Sequence, residues 1–115
     1  MMDPKHRKAK LYFDIILSIE LIEEFLGPLI LFDEYSVDRK TRSAIERQLS
    51  IVGEAVKRIK DVDPNEPIKH RDEIIGFRNI LVHGYDIVNE KTIWLIIKDY
   101  LQPLKEEILG KLNIE

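Results

Sequence analysis

The sequence predicts an all-α protein, an antiparallel bundle of four to five helices. Two observations carry this reading: apolar residues recur at three- and four-residue intervals through most of the 115-residue chain, and the alternating pattern of a half-buried strand is nearly absent. A third is that helix start and stop signals fall at the ends of these periodic runs.

The first helix is expected to open at Asp3-Pro4, with the aspartate as cap and the proline at the first helical position, and to run to about Gly27-Pro28. Its buried side is read as Leu11, Ile15, Ile22, Phe25 and Leu26. The apolar run Leu29-Ile-Leu-Phe32 after the Gly-Pro break predicts a short piece packed on the core before Asp33-Glu34. Ser36 or Asp38 can cap the next helix, whose stripe Ile45, Leu49, Val52, Val56 and Ile59 is widened by Ala44, Ile51 and Ala55. The turn-rich segment Asp61-Val-Asp-Pro64-Asn-Glu-Pro67 stops it. A shorter helix is expected from about Arg71 to His83, ended by Gly84. Asn89 can cap a last helix carrying Ile93, Trp94, Ile97, Leu101, Leu104 and Ile108, with a kink expected at Pro103.

No Pro/Gly/Ser-rich stretch divides the chain, so a single domain over residues 1–115 is expected. Hydrophobic residues make up 44% and charged residues 34%, enough for a core and too apolar for a disordered tail. Cysteine is absent, which excludes disulfides, thiolate metal sites and cysteine nucleophiles and agrees with a cytoplasmic address. The N-terminus lacks a secretory apolar core, and no apolar run reaches the roughly 18 residues that span a bilayer. The formal net charge of -3 argues against holding long nucleic acids by bulk electrostatics. Any RNA contact must then be local, with Lys5, Arg7, Lys8 and Lys10, or Arg39, Lys40 and Arg42, as patches unless these are solvated helix ends.

The segment Ile74-Ile-Gly-Phe-Arg-Asn-Ile-Leu-Val-His83 carries the chemistry. On a helical wheel with Arg78 at 0°, Asn79 lies near 100° and His83 near 140°, while Ile80, Leu81, Phe77 and Ile74 fill the arc from about 200° to 320°. That arc is read as core and the other side as functional. Ile75 and Val82 project between Arg78 and His83, and Gly76 leaves room beside them for another backbone. Apolar residues on a polar face point to a covered face, either by the last helix or by a second subunit.

An arginine and a histidine suit RNA cleavage without a metal. The guanidinium is a permanently charged fork that matches phosphate oxygens, where negative charge grows during attack by the 2'-hydroxyl. Imidazole titrates near neutrality and can accept or donate the proton. Asn79 could orient His83 or donate to the phosphate. The bland alternative is that Arg78 pairs with an acid such as Glu54 and His83 only caps the helix end. Other constellations are weaker. His6 and His70 lack partners at metal-ligand spacing, so neither a metal site nor a cofactor is expected. Asp61, Asp63 and Glu66 lack calcium-loop spacing, and Ser18, Ser36, Ser43 and Ser50 lack a nucleophile-elbow context.

Three blocks in order resemble the HepT branch of the HEPN family. Arg78-Asn-Ile-Leu-Val-His83-Gly-Tyr85 fits that family's R-x-x-x-x-H-x-Y pattern, and Thr41-Arg-Ser-Ala-Ile-Glu-Arg-Gln-Leu-Ser-Ile-Val-Gly-Glu-Ala55 and Thr92-Ile-Trp-Leu-Ile-Ile-Lys-Asp-Tyr-Leu-Gln-Pro-Leu104 are similar to two further blocks. The resemblance implies the HEPN fold, a homodimer, and a toxin endoribonuclease that needs no metal, with Arg78 and His83 of both subunits lining one cleft. It also implies a minimal nucleotidyltransferase of the MntA type as antitoxin partner, an RNA substrate such as tRNA or mRNA, and AMPylation of Tyr85. Neither DNA nor a membrane is an expected partner. Where many relatives carry tryptophan, this chain has the charged His70-Arg-Asp-Glu73. The competing function is a non-catalytic helical module that binds a nucleotidyltransferase or a nucleotide.

Overall fold

Asp3 opens α1 (Pro4–Leu26) as expected, its carboxylate accepting from the His6 N–H at 2.9 Å, and Gly27 closes it with φ +52. The computed structural model describes residues 3–28, 31–83 and 89–113. α1 buries Leu11, Tyr12, Ile15, Ser18, Ile19 and Ile22. Phe25, expected in the core, is 37% exposed. The buried arc centres on Ile15 and Ile22, and Phe25 lies about 60° off Ile22 on a helical wheel, at the rim of that arc.

The short second element starts where the sequence expected it to end. α2 is Phe32–Val37, with Glu34 Oε1 accepting from the Leu31 N–H, and its buried residue is Tyr35 at 0% exposure. Leu29 and Ile30 lie outside the described residues. Asp38, not Ser36, caps α3 (Arg39–Val62), accepting from the Thr41 N–H at 3.0 Å. The stripe Ile45, Leu49, Val52, Val56 and Ile59 is buried together with Ala55 and Gly53, while Ala44 and Ile51 are half-buried. α4 (Arg71–His83) follows a turn in which His70 adopts φ 61.

Asn89 caps α5 (Glu90–Asp99), its side chain accepting from Lys91 and Thr92 N–H groups. Proline at 103 does more than kink the last helix. It has no N–H for the Asp99 carbonyl, so the helix ends at Asp99 and α6 (Leu101–Lys111) begins after Tyr100. Six helices therefore stand among the described residues instead of the four to five expected. All six apolar residues assigned to this last segment are buried, and Ile96 joins them.

Ion pairs between helix ends show the antiparallel arrangement. Lys8 near the start of α1 meets Asp63 after the end of α3 at 2.8 Å, and Lys60 late in α3 meets Asp72 early in α4 at 3.5 Å. Lys105 of α6 reaches Glu23 late in α1 at 3.0 Å. α3 is the central element, with α1 packed on one flank and α4 on another. α6 lies against α1, while α2 and α5 close one end through Trp94, whose ring contacts Tyr35 and Phe32 under the Lys98 ammonium. No described helix is long and apolar enough to cross a membrane.

Candidate active site between helices α1, α3 and α4

α4 is a favourable helix electrostatically. Asp72 and Glu73 occupy its first turn and His83 its last, each matching the helix dipole. The charged segment before it is tied down: Glu73 pairs with His70 Nδ1 at 3.2 Å and accepts from the Tyr100 hydroxyl at 3.2 Å, which raises the Tyr100 phenol above its usual range. Arg71 donates to the Pro64 carbonyl at 2.9 Å.

The helix is rotated relative to the face read from the sequence. Ile80, assigned to the core, is 39% exposed, and Asn79 and His83 share its exposed side. Arg78, assigned to the polar side, faces α3 with a side chain only 22% exposed. The reason lies in α3. Gly53 has no side chain, so Arg78 packs its Cβ directly over that backbone, and a carbon added at Gly53 would stand 3.0 Å from Arg78 Cγ and nearer still to Cβ. Gly76, expected to admit a neighbouring backbone, has open space beside it.

The Arg78 tip is held at two nitrogens. Nη2 lies 3.0 Å from Glu54 Oε2, and Nη1 donates to Asn79 Oδ1 at 3.0 Å. The pairing with Glu54 that the sequence offered as a purely structural role for Arg78 is thus present. Asn79 grips Arg78 instead of His83. On the other side of Glu54, Oε1 accepts from Arg58 Nε at 3.3 Å.

Arg78 lines a cleft of about 540 Å³ whose floor is α3 and whose walls are α1 and α4. Arg47 and Arg58 join it there, opposed by Asp14, Glu46 and Glu54, with Leu11, Ile51, Leu81 and Val82 as apolar lining. Burial pushes the Glu46 carboxyl above its usual range, with the Arg42 charge opposing that shift. His83 is exposed and does not line this cleft. It follows Arg78 by five residues, about 7.5 Å along the axis and 140° around it.

Gly84 and Tyr85 lie outside the described residues. Three of the seven residues in the basic patches of the sequence are ion-paired: Lys8 with Asp63 and Glu66, Lys10 with Asp14, and Arg42 with Glu90. Among the described residues, no three His, Asp or Glu side chains converge as a metal-binding group. Sequence reasoning missed Arg47, Arg58 and the role of Gly53. A glycine inside a strong helical stripe costs about 1 kcal/mol against alanine, so Gly53 was itself a signal of close packing.

The pattern of the Ribonuclease HepT-like family matches residues 15–109. A Thermococcus cleftensis protein named "Probable ribonuclease HepT" is 38% identical over 96 residues, covering 80% of this chain and 84% of that protein. A Methanocaldococcus jannaschii protein named "Putative RNase MJ1380" is 34% identical over 111 residues, covering 93% and 97%. One from Caldanaerobacter subterraneus, "Putative RNase TTE0752", is 34% identical over 89 residues, covering 76% and 78%. No solved structure matches the chain. With the family pattern spanning all three sequence blocks and α4 presenting an arginine to a cleft, the chain belongs to the Ribonuclease HepT-like family.

Proposed function

We propose that the chain is a metal-independent endoribonuclease acting as the toxin of a toxin–antitoxin pair. The observation that carries this is the Arg78 guanidinium, held at the wall of a 540 Å³ cleft that also receives Arg47 and Arg58. Three guanidiniums in one cleft supply the local phosphate contact that a chain of net charge -3 requires. In this reading the 2'-oxygen of a ribose attacks the adjacent phosphorus and the 5'-oxygen of the next nucleotide leaves, giving a 2',3'-cyclic phosphate and a 5'-hydroxyl. Arg78 binds the phosphate and stabilises the charge that develops on it, and His83 exchanges the proton. Asn79 supports Arg78.

A homodimer belongs to the same proposal. Arg78 and His83 of one copy point about 140° apart, so a second copy across the α4 face, contributing its own His83, is the simplest way to bring both groups to one phosphate. Ile80, exposed on that face, supports it. A partner nucleotidyltransferase would silence the site by adding AMP to Tyr85.

Purified protein incubated with tRNA and mRNA in the presence of chelator tests the reading, with the product ends mapped and the mass in solution measured by sedimentation. Cleavage with cyclic-phosphate ends, lost in His83→Ala, supports it; cleavage abolished by chelator, or retained in His83→Ala, overturns the mechanism. A monomer at micromolar concentration removes the dimer. The competing reading, a non-catalytic module that binds a nucleotidyltransferase, is favoured by Arg78 being already paired with Glu54, and absence of any cleavage would select it.

A further inference from the structure

We propose that Glu54 is a positioning residue, the clamp on α3 that holds the Arg78 guanidinium in register with the cleft; this rests on the reading of Arg78 as the phosphate-binding group. The Arg78 side chain is constrained at both ends. Its base rests on Gly53, where even a methyl group would collide with Arg78 Cβ. Its tip meets Glu54 Oε2 at 3.0 Å and Asn79 Oδ1 at 3.0 Å. Arginine has four rotatable side-chain bonds to restrict, and a freely rotating guanidinium aligns poorly with a transition state.

Glu54 is itself fixed. It sits inside α3, the longest of the described helices at 24 residues, and Arg58 holds its other oxygen at 3.3 Å. Glu54 Oε2 is buried and receives no aligned hydrogen bond among the described residues, so the Arg78 charge is what compensates it. A buried carboxylate oxygen in that position is unfavourable without the arginine, which keeps the two groups together when the cleft is empty.

The clamp leaves Arg78 able to bind. A guanidinium has five N–H donors in one plane; Asn79 accepts one from Nη1, and Glu54 meets Nη2 as an ion pair without an aligned hydrogen bond. The remaining donors are free for two phosphate oxygens. A carboxylate that only competed with phosphate would act as a brake, and its removal would then speed cleavage. A clamp predicts the reverse.

The experiment compares full-length wild type, Glu54→Gln, Glu54→Asp and Arg78→Lys. The first readout is hydrogen exchange of the Arg78 Nε–H signal in nitrogen-15 spectra, assigned by its absence in Arg78→Lys. Glu54→Gln is expected to speed that exchange about ten-fold or more, with Glu54→Asp intermediate. The second readout is single-turnover RNA cleavage, where Glu54→Gln should lower the rate constant about ten-fold while KM stays within about three-fold and the pH profile keeps its shape. Unchanged Nε–H exchange overturns the clamp. Normal or faster cleavage by Glu54→Gln overturns its role in positioning while leaving the ribonuclease reading intact. A wild type that does not cleave RNA removes the ribonuclease reading, and the exchange experiment still decides whether Glu54 holds Arg78.

Discussion

Arg78 Cβ rests on the backbone of Gly53, which lets α4 lie close against α3 at this point. Replacing Gly53 by alanine adds a carbon 3.0 Å from Arg78 Cγ and 3.3 Å from Arg78 Cα. Two effects oppose each other. Alanine gains about 1 kcal/mol of helix propensity, whereas overpacking against atoms at the root of a side chain costs about 1–3 kcal/mol. The neighbour is not a flexible tip, so the clash wins. Gly53→Ala should lower stability by about 1 kcal/mol in urea unfolding and reduce RNA cleavage more than stability alone explains. An alanine variant as stable and as active as wild type would show that α4 shifts without consequence.

Arg78→Ala and His83→Ala should each lower cleavage by about two orders of magnitude or more, and Asn79→Ala by less. Their effects on folding should differ. His83 is exposed, so its removal should leave the melting temperature nearly unchanged. Removing Arg78 strands Glu54 Oε2, a buried oxygen, and should cost about 1–3 kcal/mol. Arg78→Lys keeps a charge there without the planar fork and separates the two losses. Equal destabilisation by His83→Ala and Arg78→Ala would contradict this division.

Much of the bundle was legible because its signals are local. The α3 stripe, the Asp3 and Asn89 caps and the apolar set of the last segment depend only on periodicity and on side chains that reach their own backbone. Rotation of α4 was not legible. Its apolar residues lie almost all round the helix, so which side turns inward depends on a glycine in another helix. Tyr35 was missed for a related reason: the apolar run 29–32 drew attention to itself, yet the helix that forms is Phe32–Val37, and it buries the ring three residues beyond the end of that run, past Asp33 and Glu34. Pro103 was correctly read as disruptive, but the missing N–H acts four residues back, at Asp99.

Glu66 should give the fold a measurable acid sensitivity. Burial alone would raise its carboxyl, but hydrogen bonds from Lys8 and Lys111 outweigh that and lower it from 4.5 to about 2. Asp63 is also lowered, chiefly by Lys8. A depressed folded value means the contribution is present above about pH 4.5 and is lost as pH falls toward 2. After allowance for solvent screening the loss is about 1–2 kcal/mol. Urea unfolding at pH 5 and at pH 2.5 should show Glu66→Gln less stable than wild type at the higher pH, with the gap narrowing at the lower one. A gap that stays constant across that range would assign the stability to packing alone.

Tyr85 is the expected point of control, and the other tyrosines show why it can be tested cleanly. Tyr12 is 5% exposed and Tyr35 is 0% exposed, and burial raises both phenols, which disfavours the phenolate that would attack phosphorus. Tyr100 already donates its hydroxyl to Glu73 at 3.2 Å. Burial makes Tyr12 and Tyr35 poor acceptors of an adenylyl group, and Tyr100 serves as a control outside the motif. Transfer of AMP from ATP would form a bond from the Tyr85 oxygen to the α-phosphorus and expel pyrophosphate, leaving a negatively charged phosphodiester two residues from His83. Arg78 could then pair with that phosphate in place of the RNA backbone, so inhibition would follow from occlusion and charge neutralisation together. Co-expression with a minimal nucleotidyltransferase, followed by intact-mass and peptide mass spectrometry, should find AMP on Tyr85 and loss of cleavage, and Tyr85→Phe should stay active and unmodified. AMP on Tyr12, Tyr35 or Tyr100, or full silencing with no added mass, would defeat the proposal.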